Sequence, residues 1–205
     1  MLKIYIARHG QDKDNAAGIL NGRRDQPLTD IGLKQAQDLT RTIWSNNLHF
    51  DAVYCSPLQR AYRTAEIITD TLELPKPVVR EGLIERDFGV MTGVAQSKIE
   101  ALCAPDIIKS ETITYFLNPE GAETFPELLG RARRILAEVQ SDHTDGSVLL
   151  VTHGDFGKML FAAYYELEWQ PVLSMFHFGN SELLELSKDT TPIDAHIYQT
   201  TQFNT

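Results

Sequence analysis

Two short motifs set a histidine where an apolar run stops, Arg8-His9-Gly10 and Thr152-His153-Gly154, and a third junction, Ser56-Pro57-Leu58-Gln59-Arg60, adds an arginine. Two guanidiniums and two imidazoles gathered in one place repel one another unless an anion holds them together. Guanidinium forks match phosphate oxygens two at a time, and amides of a turn complete such a cradle. An imidazole with a pKa near ~6.5 offers an unprotonated ring nitrogen at neutral pH. Attack by that nitrogen would split phosphoryl transfer into two easier steps through a phosphohistidine. Arg8, Arg60 and the second histidine would then hold the equatorial oxygens as charge spreads over them. The departing alkoxide needs a proton, which calls for a carboxylic acid of raised pKa. Glu85, in a loop bracketed by glycines, is one candidate among several, including Glu81, Asp87 and Asp155. The chain has no Gly-x-x-x-x-Gly-Lys loop and no His-Glu-x-x-His helix, so nucleotide-loop and zincin chemistry lack support.

The elements around these residues must bring them together. Leu2 to Ala7, Ala52 to Cys55 and Val148 to Val151 are short apolar runs that read as buried strands. Helices are expected from Ile31 to about Asn46, capped by Thr29 or Asp30, from Leu128 to Val139, capped by Thr124, and from Phe156 to Tyr165. Ser56 reads as a further N-cap, with Pro57 as the first helical residue and Gln59 completing a capping box. Val78-Val79 suggests a short edge strand and Ile99 to Leu102 a short helix. Gln11 to Pro27 is too polar and irregular for an element of its own, and Ala104 to Gly121 reads as an insertion with some helix. Met175 to Phe178 and Leu183 to Leu186 read as two strands joined by a turn at Gly179-Asn180-Ser181, and the tail from Thr190 is unassigned. The alternation predicts an α/β three-layer sandwich, a mostly parallel central sheet with helices on both faces. The carboxyl ends of its strands share one rim, where Arg8, His9, Arg60 and His153 would meet.

Of the 205 residues, 42% are hydrophobic, enough to bury a core as one domain over 1–205 with a small cap at about 94–121. A net charge of −9 argues against nucleic acid and anionic membranes as partners. Cys55 and Cys103 have no C-x-x-C spacing and read as buried thiols of a reducing compartment. No leader pattern and no apolar run near the ~18 residues of a membrane span is present, so a cytoplasmic protein is expected.

Together these residues resemble the histidine phosphatase superfamily, the phosphoglycerate-mutase-like proteins. The motifs are Arg8-His9-Gly10, Ser56-Pro57-Leu58-x-Arg60-Ala61-x-x-Thr64-Ala65, Leu83-x-Glu85-x-x-x-Gly89-x-x-x-Gly93 and Val151-Thr152-His153-Gly154, in the family's order. The resemblance implies His9 as the phosphorylated nucleophile and Glu85 as proton donor and later base. It implies Arg8, Arg60, His153 and the adjoining Gly154 as the phosphate pocket, Asn15 as a phosphate contact, and Asn21-Gly22 on the substrate side. It implies no cofactor and no metal, and a small phosphorylated metabolite as substrate, a sugar phosphate or a phosphoglycerate-like compound. Two departures stand out. Gln11-Asp12 replaces the family's frequent Glu-Ser or Glu-Thr, and an acid there either disfavours a second phosphate or faces solvent. Gly121-Ala122-Glu123 replaces Gly-Gly-Glu. The short insertion favours hydrolysis over the enclosed chemistry of a cofactor-dependent phosphoglycerate mutase, with that mutase and a non-catalytic phosphate binder as the alternatives. Arg23, Arg24 and Arg86 either bind a second anionic group or are solvated loop charges. The oligomeric state, monomer or homodimer, is open.

Overall fold

The computed structural model describes residues 1–195. Its centre is a five-stranded sheet in the order β3 (Val78–Val79), β2 (Ala52–Cys55), β6 (Ser147–Thr152), β1 (Lys3–Arg8), β7 (Leu183–Leu186). The first four strands are parallel and β7 runs antiparallel to β1. Arg8 pairs with Thr152 and Cys55 with Val151, so β1, β2 and β6 end on one rim.

Both faces of the sheet are buried, as expected of a parallel sheet. Ile4, Ile6, Val148 and Leu150 pack under α5 (Phe125–Asp142) and α6 (Gly154–Tyr164). Tyr5, Ala7, Leu149 and Val151 face α2 (Asp30–Ser45) and α3 (Gln59–Thr71). This is the expected α/β arrangement, with Val78-Val79 at the sheet edge. Thr29 caps α2 by accepting from the Gly32 amide at 3.1 Å. Thr124 and Glu127 form a reciprocal capping box on α5, with Pro126 in its first turn. At the start of α2 the backbone crosses close to the Gly10-Gln11 corner. A Cβ on Gly32 would lie 2.0 Å from the Gln11 carbonyl oxygen, so neither a side chain nor a shift is accommodated there.

Four expectations need correction. Ser56 is not the cap of α3, which starts at Gln59. The Ser56 hydroxyl accepts from the Leu58 amide, and Asp25 Oδ1 takes the Gln59 amide at 2.7 Å. The polar stretch after Gly10 contains a one-turn helix, α1 (Lys13–Ala16), capped by Asp12. Beyond Ala104 the insertion is not helical: α4 (Ile99–Cys103) precedes an antiparallel pair, β4 (Ile107–Lys109) and β5 (Thr114–Phe116). Finally, Met175 ends a helix, α7 (Trp169–Met175), and no strand follows it before β7. The carbonyls that a hairpin would need are engaged by side chains: Phe176 O accepts from Lys158 Nζ, and Phe178 O from Arg8 Nη1 at 2.7 Å.

The insertion closes over a satellite core of Leu20, Phe88, Met91, Ile99 and Phe116. Cys55 is buried and Cys103 half-buried, both as free thiols. No helix among the described residues is long and apolar enough to cross a membrane.

Candidate active site

Arg8 and His9 leave the end of β1, His153 leaves the end of β6, and Arg60 sits in the first turn of α3. The two imidazoles meet edge to face with ring centroids 5.0 Å apart. His9 Nδ1 lies 2.6 Å from the Gly10 carbonyl oxygen. A carbonyl only accepts, so the proton sits on Nδ1 and Nε2 carries the lone pair. Arg60 Nε points at that lone pair from 3.1 Å. Burial holds the His9 pKa well below its usual 6.5, and Arg60 and Arg8 push in the same direction. His9 is therefore a neutral base whose unprotonated Nε2 accepts from Arg60.

Around it the cradle is braced by uncharged partners. Thr64 Oγ1 accepts from the Gly10 amide at 3.1 Å, and Asn180 Nδ2 donates to the His9 carbonyl at 2.9 Å. His153 Nε2 lies 2.7 Å from Ser56 Oγ, while its Nδ1 is buried with no hydrogen-bond partner among the described residues. Its pKa too is held well below 6.5, by burial first and then by Arg60. A Cβ on Gly154 would sit 3.6 Å from Arg8 Cζ, so the bare backbone lets the guanidinium lie along the start of α6.

Arg60 is fully buried, and its other nitrogens donate to the carbonyls of Gly22 (2.8 Å) and Arg24 (2.6 Å). Its charge is met by Asp12, 3.2 Å from Nε. Asp12 has no exposed surface. It neither faces solvent nor stands at the mouth of the pocket. Its Oδ1 accepts from the Asn15 amide at 2.7 Å and its Oδ2 from Asn21 Nδ2 at 2.6 Å. One carboxylate thus organises three of the anticipated binding residues.

Glu85 is buried. Its Oε1 accepts from the amides of Arg86 (2.7 Å) and Phe156 (3.1 Å), and its Oε2 from Asp155 (3.3 Å). Burial raises its pKa, helped by the Asp155 carboxylate and opposed by those amides and by Arg60. A carboxyl of this kind holds its proton into a range where it can act as an acid. Arg131 of α5 fixes its loop, donating to the carbonyls of Gly82 (2.8 Å), Ile84 (2.6 Å) and Glu85 (3.3 Å) while pairing with Glu123.

A cavity of about 300 Å³ opens beside this set, walled by Arg8, Asn15, Asn21, Glu85 and Gly154 among others. Of the site residues named from the sequence, Arg8, Asn15, Asn21, Glu85 and Gly154 line it. His9, Arg60 and Gly22 are joined to one another by the Arg60 hydrogen bonds, and His153 packs edge to face on His9. The three loop arginines do not line the cavity. Arg23 pairs with Asp87 and Glu123, Arg24 with Asp14, and the buried Arg86 with Asp155. Sequence reasoning missed Asn180, which it placed in a hairpin turn, and Arg131, Ser56 Oγ and Asp12 as braces. No local pattern marks partners as distant along the chain as Asn180 and His9, Arg131 and Glu85, or Ser56 and His153.

Residues 4–193 match the family model described as histidine phosphatase superfamily (branch 1). The chain belongs to that superfamily. Among curated members, a 2,3-bisphosphoglycerate-dependent phosphoglycerate mutase of Methylobacterium sp. (strain 4-46) is 30% identical over 159 residues, covering 74% of this chain and 75% of that protein. A putative phosphoserine phosphatase 2 of Hydrogenobacter thermophilus is 35% identical over 160 residues, covering 75% and 74%. The fold matches a mycobacterial glucosyl-3-phosphoglycerate phosphatase solved with VO3, with a TM-score of 0.77 at 26% identity over 90% of this chain and 92% of that one. As a histidine phosphatase superfamily enzyme the chain is a phosphatase or a mutase.

Proposed function

We propose that the chain is a phosphomonoesterase that needs no metal and works through a phosphohistidine on His9. The observation that carries this is the fixed tautomer of His9, whose unprotonated Nε2 accepts from Arg60, in a site where the buried Glu85 has a raised pKa. In the first step Nε2 attacks phosphorus, the ester P–O bond breaks, and the leaving oxygen takes the Glu85 proton. Arg8, Arg60 and His153 hold the equatorial oxygens as charge moves onto them. In the second step the Glu85 carboxylate removes a proton from water. The water oxygen attacks phosphorus, the P–N bond breaks, and phosphate leaves with His9 restored.

Hydrolysis rather than mutation is supported by the small size of the insertion, a pair of three-residue strands, since chemistry that must keep water out calls for a larger enclosure. The mutase reading rests on the Methylobacterium relative. Rapid interconversion of 2- and 3-phosphoglycerate with a bisphosphate primer would favour it. Retained phosphate binding without any phosphoenzyme would instead mark a non-catalytic binder.

The deciding experiment is hydrolysis of p-nitrophenyl phosphate from pH 5 to 8 with a chelator present, combined with a rapid quench for phosphohistidine. The His9→Ala variant should lose activity by about 10⁴-fold or more, within the range of losses seen when a covalent nucleophile is removed. A purified variant retaining a tenth of the rate would overturn the assignment.

A further inference from the structure

The half of the cavity beyond the phosphate cradle has a chemical character of its own. Its apolar wall is made by Ile19, Leu20, Phe88, Ile99, Ile113 and Phe178. Its neutral polar groups come from Asn15, Asn21, Gln96 and two threonines of the β4–β5 connection, Thr112 and Thr114. The acids in the lining are Glu85 and Asp155. Apart from Arg8 in the cradle, the cation in the lining is Lys158. That ammonium is turned away from the cavity's needs: Nζ donates to the carbonyls of Val172 (3.2 Å), Leu173 (2.8 Å) and Phe176 at the end of α7. Arg23, Arg24 and Arg86, which by type could have met a second anion, are each paired with a carboxylate and none of them lines the cavity.

We propose that the alcohol half of the substrate is uncharged, with an apolar flank and hydroxyls for the amides and threonines, and that alcohols carrying a carboxylate or a second phosphate are disfavoured. This rests on reading the site as an ester-cleaving phosphate pocket. A carboxylate entering this space would leave water beside Glu85 and Asp155, where the cation outside the cradle among the described lining residues, Lys158, is already engaged by three carbonyls. A charge desolvated without a partner is strongly unfavourable, and such an element gives selectivity by rejection. The class that fits is the phosphate ester of a neutral, partly apolar or sugar-like alcohol. Phosphoglycerates and phosphoserine, which carry a carboxylate close to the ester, fit poorly. The volume of about 300 Å³ limits the alcohol to a small metabolite.

The test uses wild-type protein and a matched pair of phosphonates, whose carbon–phosphorus bond stays intact: benzylphosphonate and 4-carboxybenzylphosphonate, titrated by calorimetry. The carboxylated analogue should bind at least about tenfold more weakly. Equal or tighter binding of the carboxylated analogue, or binding of neither, overturns the proposal. Hydrolysis of benzyl phosphate is followed in parallel. Selective binding without hydrolysis would leave the ligand class standing and remove the phosphomonoesterase reading. Hydrolysis together with a preference for the carboxylate would do the reverse.

Discussion

Asp12 Oδ2 lies 3.2 Å from Arg60 Nε, and neither side chain has exposed surface. The proposed phosphate cradle thus carries a buried negative charge of its own, which offsets one of its two guanidiniums. Asp12→Asn keeps the shape and removes that charge. Breaking one side of a buried pair leaves the other uncompensated, so the variant should lose about 3 kcal/mol of stability in urea titrations without phosphate. Inorganic phosphate should then bind about tenfold more tightly than to wild type and restore much of the loss, because it supplies the missing anion. Phosphate affinity unchanged in calorimetry would show that the Asp12 charge is not felt in the cradle.

Glu85 has a raised pKa through burial and Asp155, and it can donate only while protonated. The value of kcat/KM for an alkyl phosphate should therefore fall as pH rises through that raised pKa. Aryl phosphates, whose leaving group needs little protonation, should lack this limb. Glu85→Gln should lower alkyl ester turnover roughly 10²- to 10⁴-fold and aryl ester turnover far less. Equal losses on the two ester types would move the acid role to another carboxylate, with Asp155 the nearest candidate.

The parts of this molecule that were legible in the sequence are those fixed by local chemistry. The buried strands β1, β2 and β6 are continuous apolar runs, and Thr29 and Thr124 sit where a cap must be. Parallel pairing then forces His9, Arg60 and His153 onto one rim, so their convergence followed from strand order alone. What was not legible depends on partners far along the chain. Arg86 meets Asp155 and Arg23 meets Glu123 across the fold, so neither can be told from a solvated charge by its neighbours. β4 and β5 are three residues each, too short for any periodicity to show. Ser56 satisfies every local rule for a cap and yet serves His153, because tertiary contact overrides the local preference.

Arg131 illustrates such a distant partner with a kinetic consequence. Its guanidinium bridges Glu123 and the carbonyls of Gly82, Ile84 and Glu85, fixing the loop that carries the proposed acid. A lysine cannot reproduce that planar fork. Arg131→Lys should lower kcat on alkyl esters roughly ten- to hundred-fold, the size of effect expected when a reacting group is displaced by about an ångström. KM should change little, and aryl esters should be spared as in Glu85→Gln. A uniform loss on both ester types would show that Arg131 acts only on stability.

His177, which touches the cavity-lining Thr112, offers a test of the local electrostatics. Its Nδ1 lies 3.3 Å from Thr112 Oγ1, and its pKa is lowered to about 4 by burial, with Arg8 and Lys158 adding repulsion. Between pH 6.5 and 4 the unfolded chain therefore binds a proton that the native state refuses. Its stability contribution is complete above about pH 6.5 and is lost as pH falls toward 4. His9 and His153 act in the same direction, while the raised carboxyls of Asp12, Glu85 and Glu182 act in the opposite one. The total slope is thus a sum of both signs, but the difference between wild type and His177→Gln isolates one group. Over that window the stability of the variant should fall less steeply, by less than the value for one full proton, about 1.4 kcal/mol per pH unit, because the ring is partly open to solvent. Urea titrations at several pH values would measure this, and parallel curves for the two proteins would show that His177 titrates normally in the fold.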